Sequence, residues 1–214
     1  MTDYLRVSVE DYLDAAASGL PTPGGGSVSA LAAALGATMA SMAGNFTTGK
    51  KKFAAVEAEV NQLLESLSDA RRRLADLAQK DTEAYGAVSE AFKLPRKSDE
   101  EKLAKRNAIA EACRGAMAVP LDAVRACREA LVATRRMADL ANPNLITDVG
   151  VAAILLEAAA RGAALNVRVN LPGINDQDTT EQVVAELDNA LSECATIAAE
   201  TAAAVAGTMA GGAG

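Results

Sequence analysis

The chain has 214 residues, of which 50% are hydrophobic and 23% charged, and its formal net charge is −7. These values suit one globular domain spanning residues 1–214 and exclude a disordered chain. The sequence contains no histidine, which excludes Ser-His-Asp and Cys-His catalysis, histidine-bound zinc and an imidazole proton shuttle. The acidic balance also argues against nucleic acid as a partner.

The aromatic content is low, with no Trp, three Tyr and three Phe, so the core must consist mainly of Ala and aliphatic residues. Such a core suits closely packed helices better than strands. The cysteines, Cys113, Cys127 and Cys194, form no C-x-x-C pair, and we expect buried thiols in a reducing compartment. Residues 1–20 are too acidic for a signal peptide, and polar residues interrupt every long apolar stretch. We therefore expect a cytoplasmic protein with no membrane partner.

The first half of the sequence predicts three helices. Ser8 is placed to cap a short amphipathic helix that ends near Gly19. Ser27 is the predicted N-cap of an apolar helix that reaches about Asn45. A longer pattern of recurring leucines then continues to about Phe92.

The next helix is predicted by Ser98-x-x-Glu101, a capping-box pattern. Pro120 lies within the helical pattern that follows, and it predicts either a kink or two helices that meet there. The pattern ends near Ala141, before an Asn-Pro-Asn segment.

Two more helices are predicted after this break. Thr147 or Asn144 is placed to cap an apolar helix. Residues 166–170 alternate like a short strand, but no partner strand is available elsewhere, so a sheet is not expected. Pro172-Gly173 predicts a turn before the last helix. Together these elements predict an all-α, single-domain bundle of five or six main helices.

A stripe of small residues runs along the second predicted helix, where Gly36, Ala40 and Gly44 recur at four-residue steps. Small side chains at this spacing share one helix face and let another helix approach closely. The approaching helix belongs either to this chain or to a second copy across a dimer seam.

Three loop-to-helix junctions carry the candidate functional residues. At the first, Gly24, Gly25 and Gly26 stand between Pro23 and Ser27. Glycines leave the backbone N–H groups uncovered, and the start of a helix attracts an anion or a polarised carbonyl group. The alternative is a tight turn beneath closely packed helices.

At the second junction, Asn45 is followed by the lysine cluster, Lys50, Lys51 and Lys52. A G-x-x-x-x-G-K pattern ends at Lys50, but Lys51 stands where a nucleotide P-loop has Ser or Thr, so a P-loop is not expected. The cluster is either a solvated run of charge or a site for a substrate with carboxylates or phosphates.

At the third junction, Asp148 falls in the first turn of an apolar helix, where it is either a capping acid or a catalytic carboxylate. Asp81 and Tyr85 are four residues apart and therefore share a helix face. Without histidine, proton transfer must use Asp, Glu, Lys, Tyr or Cys. Asp148 and Asp81 are the leading candidates.

These junctions resemble the cyclodeaminase/cyclohydrolase family of folate enzymes, which includes the cyclodeaminase part of formiminotransferase-cyclodeaminase and free-standing bacterial relatives. The matching stretches are PTPGGGSVSALAAALGATMASMAGNFTTGKKK, DTEAYGAVSEAFKLP and NLITDVGVAAILLEAAARGAALNVRVNL. The third stretch has Thr147 before Asp148, where many relatives are expected to have Ser. The resemblance implies an all-helical fold, a homodimer and action on tetrahydrofolate one-carbon units.

The implied chemistry takes place at the carbon that bridges N5 and N10 of tetrahydrofolate. A cyclodeaminase, which is a lyase, closes the ring from the N5-formimino compound and expels ammonia. A cyclohydrolase opens the 5,10-methenyl compound with water. Both reactions need proton transfers that a carboxylate can manage, so no metal or further cofactor is expected. The sequence does not separate the two activities, and a non-catalytic, helical folate-binding or docking subunit is the alternative.

Residue roles follow from this chemistry as a hypothesis. Asp148 would be the acid/base or electrostatic partner of the bridging carbon, with Asp81 assisting. The glycine amides of the first junction and Asn45 would hold the pterin or its linking amide. The lysine cluster would receive the glutamate tail of a folate polyglutamate. The other candidate substrate-binding residues are Ser27, Tyr85, Asn166 and Arg168.

Overall fold

The computed structural model describes residues 2–211, which form helices joined by short loops and contain no strand. The α-helices are α1 (Val9–Ala17), α2 (Gly25–Asn45), α3 (Glu57–Lys93), α4 (Asp99–Leu140), α5 (Ile146–Ile174) and α6 (Gln177–Gly211). Two single-turn 3-10 helices, Lys51–Phe53 and Pro143–Leu145, precede α3 and α5. The predicted all-α bundle of five or six main helices is confirmed for this part of the chain, which has six.

Helices α2, α3, α4 and α5 form a ring in which each helix packs against two antiparallel neighbours. The pairing of α2 with α3, for example, places Gly26 beside Asp81 and Gly44 beside Leu64. Helix α6 packs on the outside of the ring against α4 and α5, and α1 contacts the start of α2. This arrangement gathers the N-terminal end of α2 and the C-terminal ends of α3 and α5 at one end of the bundle.

The core is built largely from alanine, as the composition predicts. On α2 the buried alanines are Ala30, Ala33, Ala34, Ala37, Ala40 and Ala43. A Cβ at Gly36 would lie 2.9 Å from Leu156 Cγ and 3.1 Å from the Ala152 carbonyl oxygen, so α2 and α5 are in close contact there. The small-residue stripe is therefore buried inside the ring, and its alternative use as a seam between subunits is wrong.

The start of α2 differs from the prediction. Gly24 is the N-cap, and Ser27 lies within the first turn, buried, with its hydroxyl 3.0 Å from Tyr12 Oη. Ser27 is therefore not a cap, because its side chain is engaged by α1. The capping boxes at Ser8 and Ser98 are present as predicted.

Helix α4 is continuous over 42 residues and contains Pro120. The alternative prediction, in which two helices meet at Pro120, is therefore wrong. Proline removes one backbone hydrogen bond, and here packing against α3, α5 and α6 keeps the helix in one piece.

Helix α5 also differs from the prediction at both ends. It begins at Ile146 without a side-chain cap, so neither Thr147 nor Asn144 caps it. It continues through residues 166–170 and Pro172 to Ile174, and the turn falls at Asn175, whose φ is 53°. The continuation is held by packing: a side chain on Gly173 would overlap Cys113 of α4.

All three cysteines are buried, as predicted. By length and composition, α2 is the one helix of the described residues that could cross a membrane, which the sequence analysis did not expect. However, 56% of its apolar window is buried inside the bundle. A buried core helix passes the same test of length and apolarity.

Gly36→Ala is expected to lower the free energy of unfolding by about 1–3 kcal/mol, the usual effect of overpacking, even though alanine favours helix formation by about 1 kcal/mol. The matched control is Gly207→Ala on α6, where an added Cβ meets nothing within 4 Å; it should be neutral or stabilising. Urea unfolding followed by circular dichroism measures both variants. Unchanged stability of the Gly36 variant would contradict the close approach of α2 and α5.

Candidate active site

A cavity of about 560 Å³ opens where the start of α2 meets α3, α4 and α5. This volume lies within the range of small-molecule sites. The polar side chains on its wall are Asp81, Tyr85, Asn166, Asn170 and Thr22, and Gly24 and Gly25 contribute backbone. The cavity therefore joins the first glycine junction to the Asp81–Tyr85 pair and to Asn166, three features that the sequence analysis proposed separately.

Asp81 is held against the first turn of α2. Its Oδ2 accepts a hydrogen bond from the backbone N–H of Ser27 at 2.9 Å. A Cβ built on Gly26 would overlap the Asp81 carboxylate, so only glycine leaves room for it. Burial raises the pKa of Asp81 above its ordinary value of 3.8, and the Ser27 N–H partly opposes this shift. The result is a partly buried carboxyl group that gains and loses its proton at a higher pH than an exposed aspartate.

The amides at the start of α2 offer a second kind of interaction. Helix α2 has no side-chain cap, and the N–H groups of Gly25 and Gly26 have no acceptor among residues 2–211. Uncapped amides at a helix start attract a carbonyl oxygen or an anion. The close-packing interpretation of the glycine junction is therefore confirmed at Gly26. Gly25 presents an uncovered amide at the cavity wall, where ligand binding stays a prediction.

Two asparagines on α5 complete the polar wall. Asn166 Nδ2 donates to the Gly162 carbonyl oxygen at 3.0 Å, and Asn170 Nδ2 donates to the Asn166 carbonyl oxygen at 2.8 Å. The side-chain oxygens have no donor in the described chain, which leaves them available to ligand N–H groups. Sequence analysis missed Asn170 because residues 166–170 alternated like a strand. The four-residue spacing from Asn166 was the signal that could have found it.

The N-terminal segment supports this site. Tyr12 is buried, its hydroxyl lies 3.0 Å from Ser27 Oγ, and burial raises its pKa. Tyr4 packs edge-on against the Tyr12 ring and donates from its hydroxyl to the Thr22 carbonyl oxygen at 3.0 Å. These contacts fix the loop before α2. Sequence analysis missed both tyrosines. It also expected Ser27 to contact substrate, whereas Ser27 is fully buried and does not line the cavity.

The other predicted site residues lie elsewhere in the chain. Asn45 and the lysine cluster follow the far end of α2, about 30 Å from Gly25 at about 1.5 Å per residue. Asp148 is in the first turn of α5, about 27 Å along that helix from Asn166. Arg168 is exposed and donates to Asp188 at 2.8 Å. Within one chain, none of these residues lines the cavity that holds Asp81, and their roles at a site stay predictions.

Comparisons with known proteins agree with this architecture. Residues 8–189 match the formiminotransferase-cyclodeaminase family. The crystal structure of formiminotetrahydrofolate cyclodeaminase from Thermotoga maritima superimposes with a TM-score of 0.84 and 31% identity, over 96% of this chain and 98% of that one. The chain therefore belongs to the formiminotransferase-cyclodeaminase family, and the resemblance described above is confirmed.

Two curated relatives are informative. A methenyltetrahydrofolate cyclohydrolase of Methylorubrum extorquens is 43% identical over 87% of this chain and 89% of its own length. The formimidoyltransferase-cyclodeaminase of Mus musculus is 33% identical over 91% of this chain. The chain spans only about a third of that mouse protein, with 36% of its length matched.

Gly26→Ala is expected to displace the Asp81 carboxylate and break its bond to the Ser27 N–H. Loss of such a bond lowers the free energy of unfolding by about 1–3 kcal/mol, and the pKa of Asp81 should move. Urea unfolding and a carboxyl ¹³C NMR titration measure the two effects, with Gly207→Ala as the control. An Asp81 titration identical to that of the parent protein would contradict the contact.

Proposed function

We propose that the protein is a tetrahydrofolate one-carbon enzyme that interconverts ring-open and ring-closed forms at the N5–N10 bridging carbon. The observation that carries the proposal is the partly buried Asp81 carboxyl group beside the uncovered amides of α2 in one cavity. Family membership supplies the substrate class. A carboxylate attracts the cationic bridging carbon, and the nearby amides and asparagines suit the polar edge of a pterin.

Hydrolysis of 5,10-methenyltetrahydrofolate is the first candidate reaction. It is supported by the 43% identity to a cyclohydrolase of which the alignment covers 89%. In this reaction ionised Asp81 stabilises the cationic carbon and accepts a proton from the attacking water. The hydroxyl group of the tetrahedral intermediate then loses its proton as the bond from carbon to N5 breaks, N5 takes up one proton, and the formyl group stays on N10.

Deamination of 5-formiminotetrahydrofolate is the second candidate, supported by the similarity to the Thermotoga cyclodeaminase. Here N10 attacks the formimino carbon to form a tetrahedral intermediate. The departing nitrogen leaves as ammonia after receiving one proton from N10 and one from a carboxylic acid. Protonated Asp81 is suited to this step because burial raises its pKa.

The remaining roles are also proposals. The α2 amides, Asn166 and Tyr85 bind the pterin or its linking amide, while the lysine cluster binds the glutamate tail of a folate polyglutamate. Three clustered ammonium groups on a chain of net charge −7 suit the tail carboxylates. We further propose a cytoplasmic homodimer that requires no metal and has no nucleic-acid or membrane partner.

The purified protein, assayed with EDTA present, is expected to consume 5,10-methenyltetrahydrofolate, measured by its absorbance, or to release ammonia from 5-formiminotetrahydrofolate. Asp81→Asn should lower kcat by about 10²-fold or more, because it removes the proton-transfer group, while KM stays within a few-fold. Asp14→Asn alters an exposed acid on α1 and serves as the matched control. Folate binding without turnover of either compound would favour the non-catalytic alternative, and full activity of the Asp81 variant would remove Asp81 from the mechanism.

The pH dependence of kcat/KM tests whether Asp81 acts in its ionised form, as in hydrolysis, or in its protonated form, as in deamination. If hydrolysis uses its ionised form, kcat/KM should fall as the pH drops through a pKa raised above 3.8. The free energy of unfolding should change in the opposite sense. Because the pKa of Asp81 is higher in the folded protein than its ordinary value of 3.8, this group favours folding below pH 3.8. That contribution is lost as the pH rises through the folded pKa. Asp81→Asn should therefore be at least as stable as the parent at neutral pH. A profile that stays flat from pH 4 to pH 8 would count against the proposed base.

A further inference from the structure

Two buried hydroxyl groups stand behind the contact between Asp81 and α2. Tyr12 is 8% exposed and Ser27 is fully buried, and their hydroxyl oxygens are 3.0 Å apart. The backbone N–H of Ser27 in turn donates to Asp81 Oδ2 at 2.9 Å. Ser27 therefore connects α1 to the carboxyl group, because its side chain contacts Tyr12 and its amide contacts Asp81.

The N-terminal segment ties these groups to α3 as well. The Tyr4 ring packs edge-on against the Tyr12 ring, with the ring centroids 5.8 Å apart. The Tyr4 backbone N–H donates to Gln79 Oε1 at 3.1 Å, and Gln79 precedes Asp81 on α3 by two positions. The contacts thus run from α3 through both tyrosines to Ser27 and back to α3 at Asp81. A closed path of this kind holds the start of α2 at a set distance from the carboxyl group.

The two oxygens of the Asp81 carboxyl group are not equivalent. Oδ2 accepts the Ser27 N–H, whereas Oδ1 accepts no hydrogen bond from residues 2–211. A proton on Oδ2 would weaken the bond that this oxygen accepts, so the carboxyl proton favours Oδ1. Oδ1 is therefore the oxygen that gains and loses the proton, and Oδ2 is the oxygen that holds the group in place.

We propose that Tyr12 is a positioning residue for Asp81: through Ser27, its hydroxyl group holds the first turn of α2 so that Oδ2 stays anchored and Oδ1 stays free to transfer a proton. The importance of this role for catalysis rests on the proposed function, which assigns the proton transfer to Asp81. The positioning itself rests on the contacts described above. Tyr12 does not line the cavity, so it acts without touching the substrate.

The hydroxyl group of Tyr12, and not its ring, carries this role. Burial raises the pKa of Tyr12, the bond with Ser27 partly opposes that shift, and the charge of Asp81 raises the pKa again. Tyr12 therefore keeps its proton at neutral pH and is a hydrogen-bond partner, not a base. In Tyr12→Phe the ring still fills its place, but the Ser27 hydroxyl loses its one hydrogen-bond partner in the described part of the chain. A buried hydroxyl without a partner is unfavourable, so Ser27 should shift and move the first turn of α2.

The first test is the titration of Asp81, followed by carboxyl ¹³C NMR. Burial raises the pKa of Asp81 and the Ser27 N–H lowers it, so a weaker N–H bond in Tyr12→Phe should raise the pKa further above 3.8. The other titratable groups at the cavity wall are Tyr85 of α3 and Cys113 of α4, while α2 and α5 contribute none. Both groups are unchanged in the variant. An Asp81 titration identical to that of the parent overturns the proposal.

The second test is kinetic. Tyr12→Phe should lower kcat by about tenfold, because a small misplacement of a catalytic group is costly, while KM stays within about two-fold. The limb of the pH profile that depends on Asp81 should move to higher pH, whichever of the two reactions is catalysed. Thr134→Val is the matched control, since it removes a buried hydroxyl about 27 Å along α4 from the cavity residue Ala116. It should lower stability but leave kcat and the pH profile unchanged. A parent-like pH profile in Tyr12→Phe contradicts the positioning role.

A double-mutant cycle tests whether Ser27 transmits the effect. Ser27→Ala removes the same hydrogen bond from the other side, so it should reproduce the changes that Tyr12→Phe causes in kcat and in the Asp81 titration. Because both variants break one link, the double variant should show no further change. Effects that multiply in the double variant mean that Tyr12 acts on Asp81 by another route, and they overturn the proposal. Ser27→Ala also decides the question if Tyr12→Phe does not fold.

The outcomes separate this proposal from the proposed function. The NMR titration needs no substrate, so a parent that is inactive on both folates would refute the function while the titration still decides the positioning. An active parent whose kcat and pH profile are unaffected by Tyr12→Phe keeps the function and refutes the positioning role.

Discussion

The contact between Asp81 and the first turn of α2 is the constraint on which the site depends. The carboxylate occupies the space that a side chain on Gly26 would fill, and it accepts the Ser27 N–H. This contact brings a partly buried acid to a helix start, where the positive end of the helix dipole and the uncovered amides lie. Burial raises the pKa of the acid while the amide lowers it. The chemistry of the cavity follows from the balance between these two influences.

Glycines also allow close contacts between helices elsewhere in the bundle. Gly36 lets α2 contact α5, and Gly44 lets the far end of α2 contact α3 and α4. Because α2 turns its small residues inward, its larger apolar residues are left on the outside. A soluble helix normally shows the reverse arrangement. The inward packing of glycine and alanine and the exposure of Val28, Leu35 and Met42 are therefore two results of one sequence pattern.

Much of the fold was predictable because its signals are local. Capping boxes at Ser8 and Ser98 depend on residues three positions apart, and the structure confirms both. The wrong predictions concern places where contacts between residues far apart in the sequence determine the local structure. Ser27 was read as a cap because the tyrosine that engages its hydroxyl is on another helix. Pro172 was read as a turn because the packing of Gly173 on Cys113 joins residues that are sixty positions apart.

The candidate site was predictable in its parts but not in its assembly. Residue type and motif position singled out the glycines, Asp81, Tyr85 and Asn166, and the cavity brings them together. No sequence pattern states how far apart Asp81 and Asp148 lie, because that distance is set by the lengths and directions of α2 and α5. Tyr12 carried no signal of its own beyond being an aromatic residue on a short helix.

Helix α6 stands apart from these relationships. It packs outside the ring, lines no part of the cavity that holds Asp81, and is joined to α4 and α5 partly by exposed ion pairs such as Arg125–Glu186 and Arg128–Glu193. Exposed pairs of this kind contribute little to stability. The apolar side chains that α6 buries against the ring, among them Val183, Leu187 and Cys194, must therefore hold it in place. Its exposed surface, remote from the cavity, can accordingly change in sequence without disturbing the catalytic geometry.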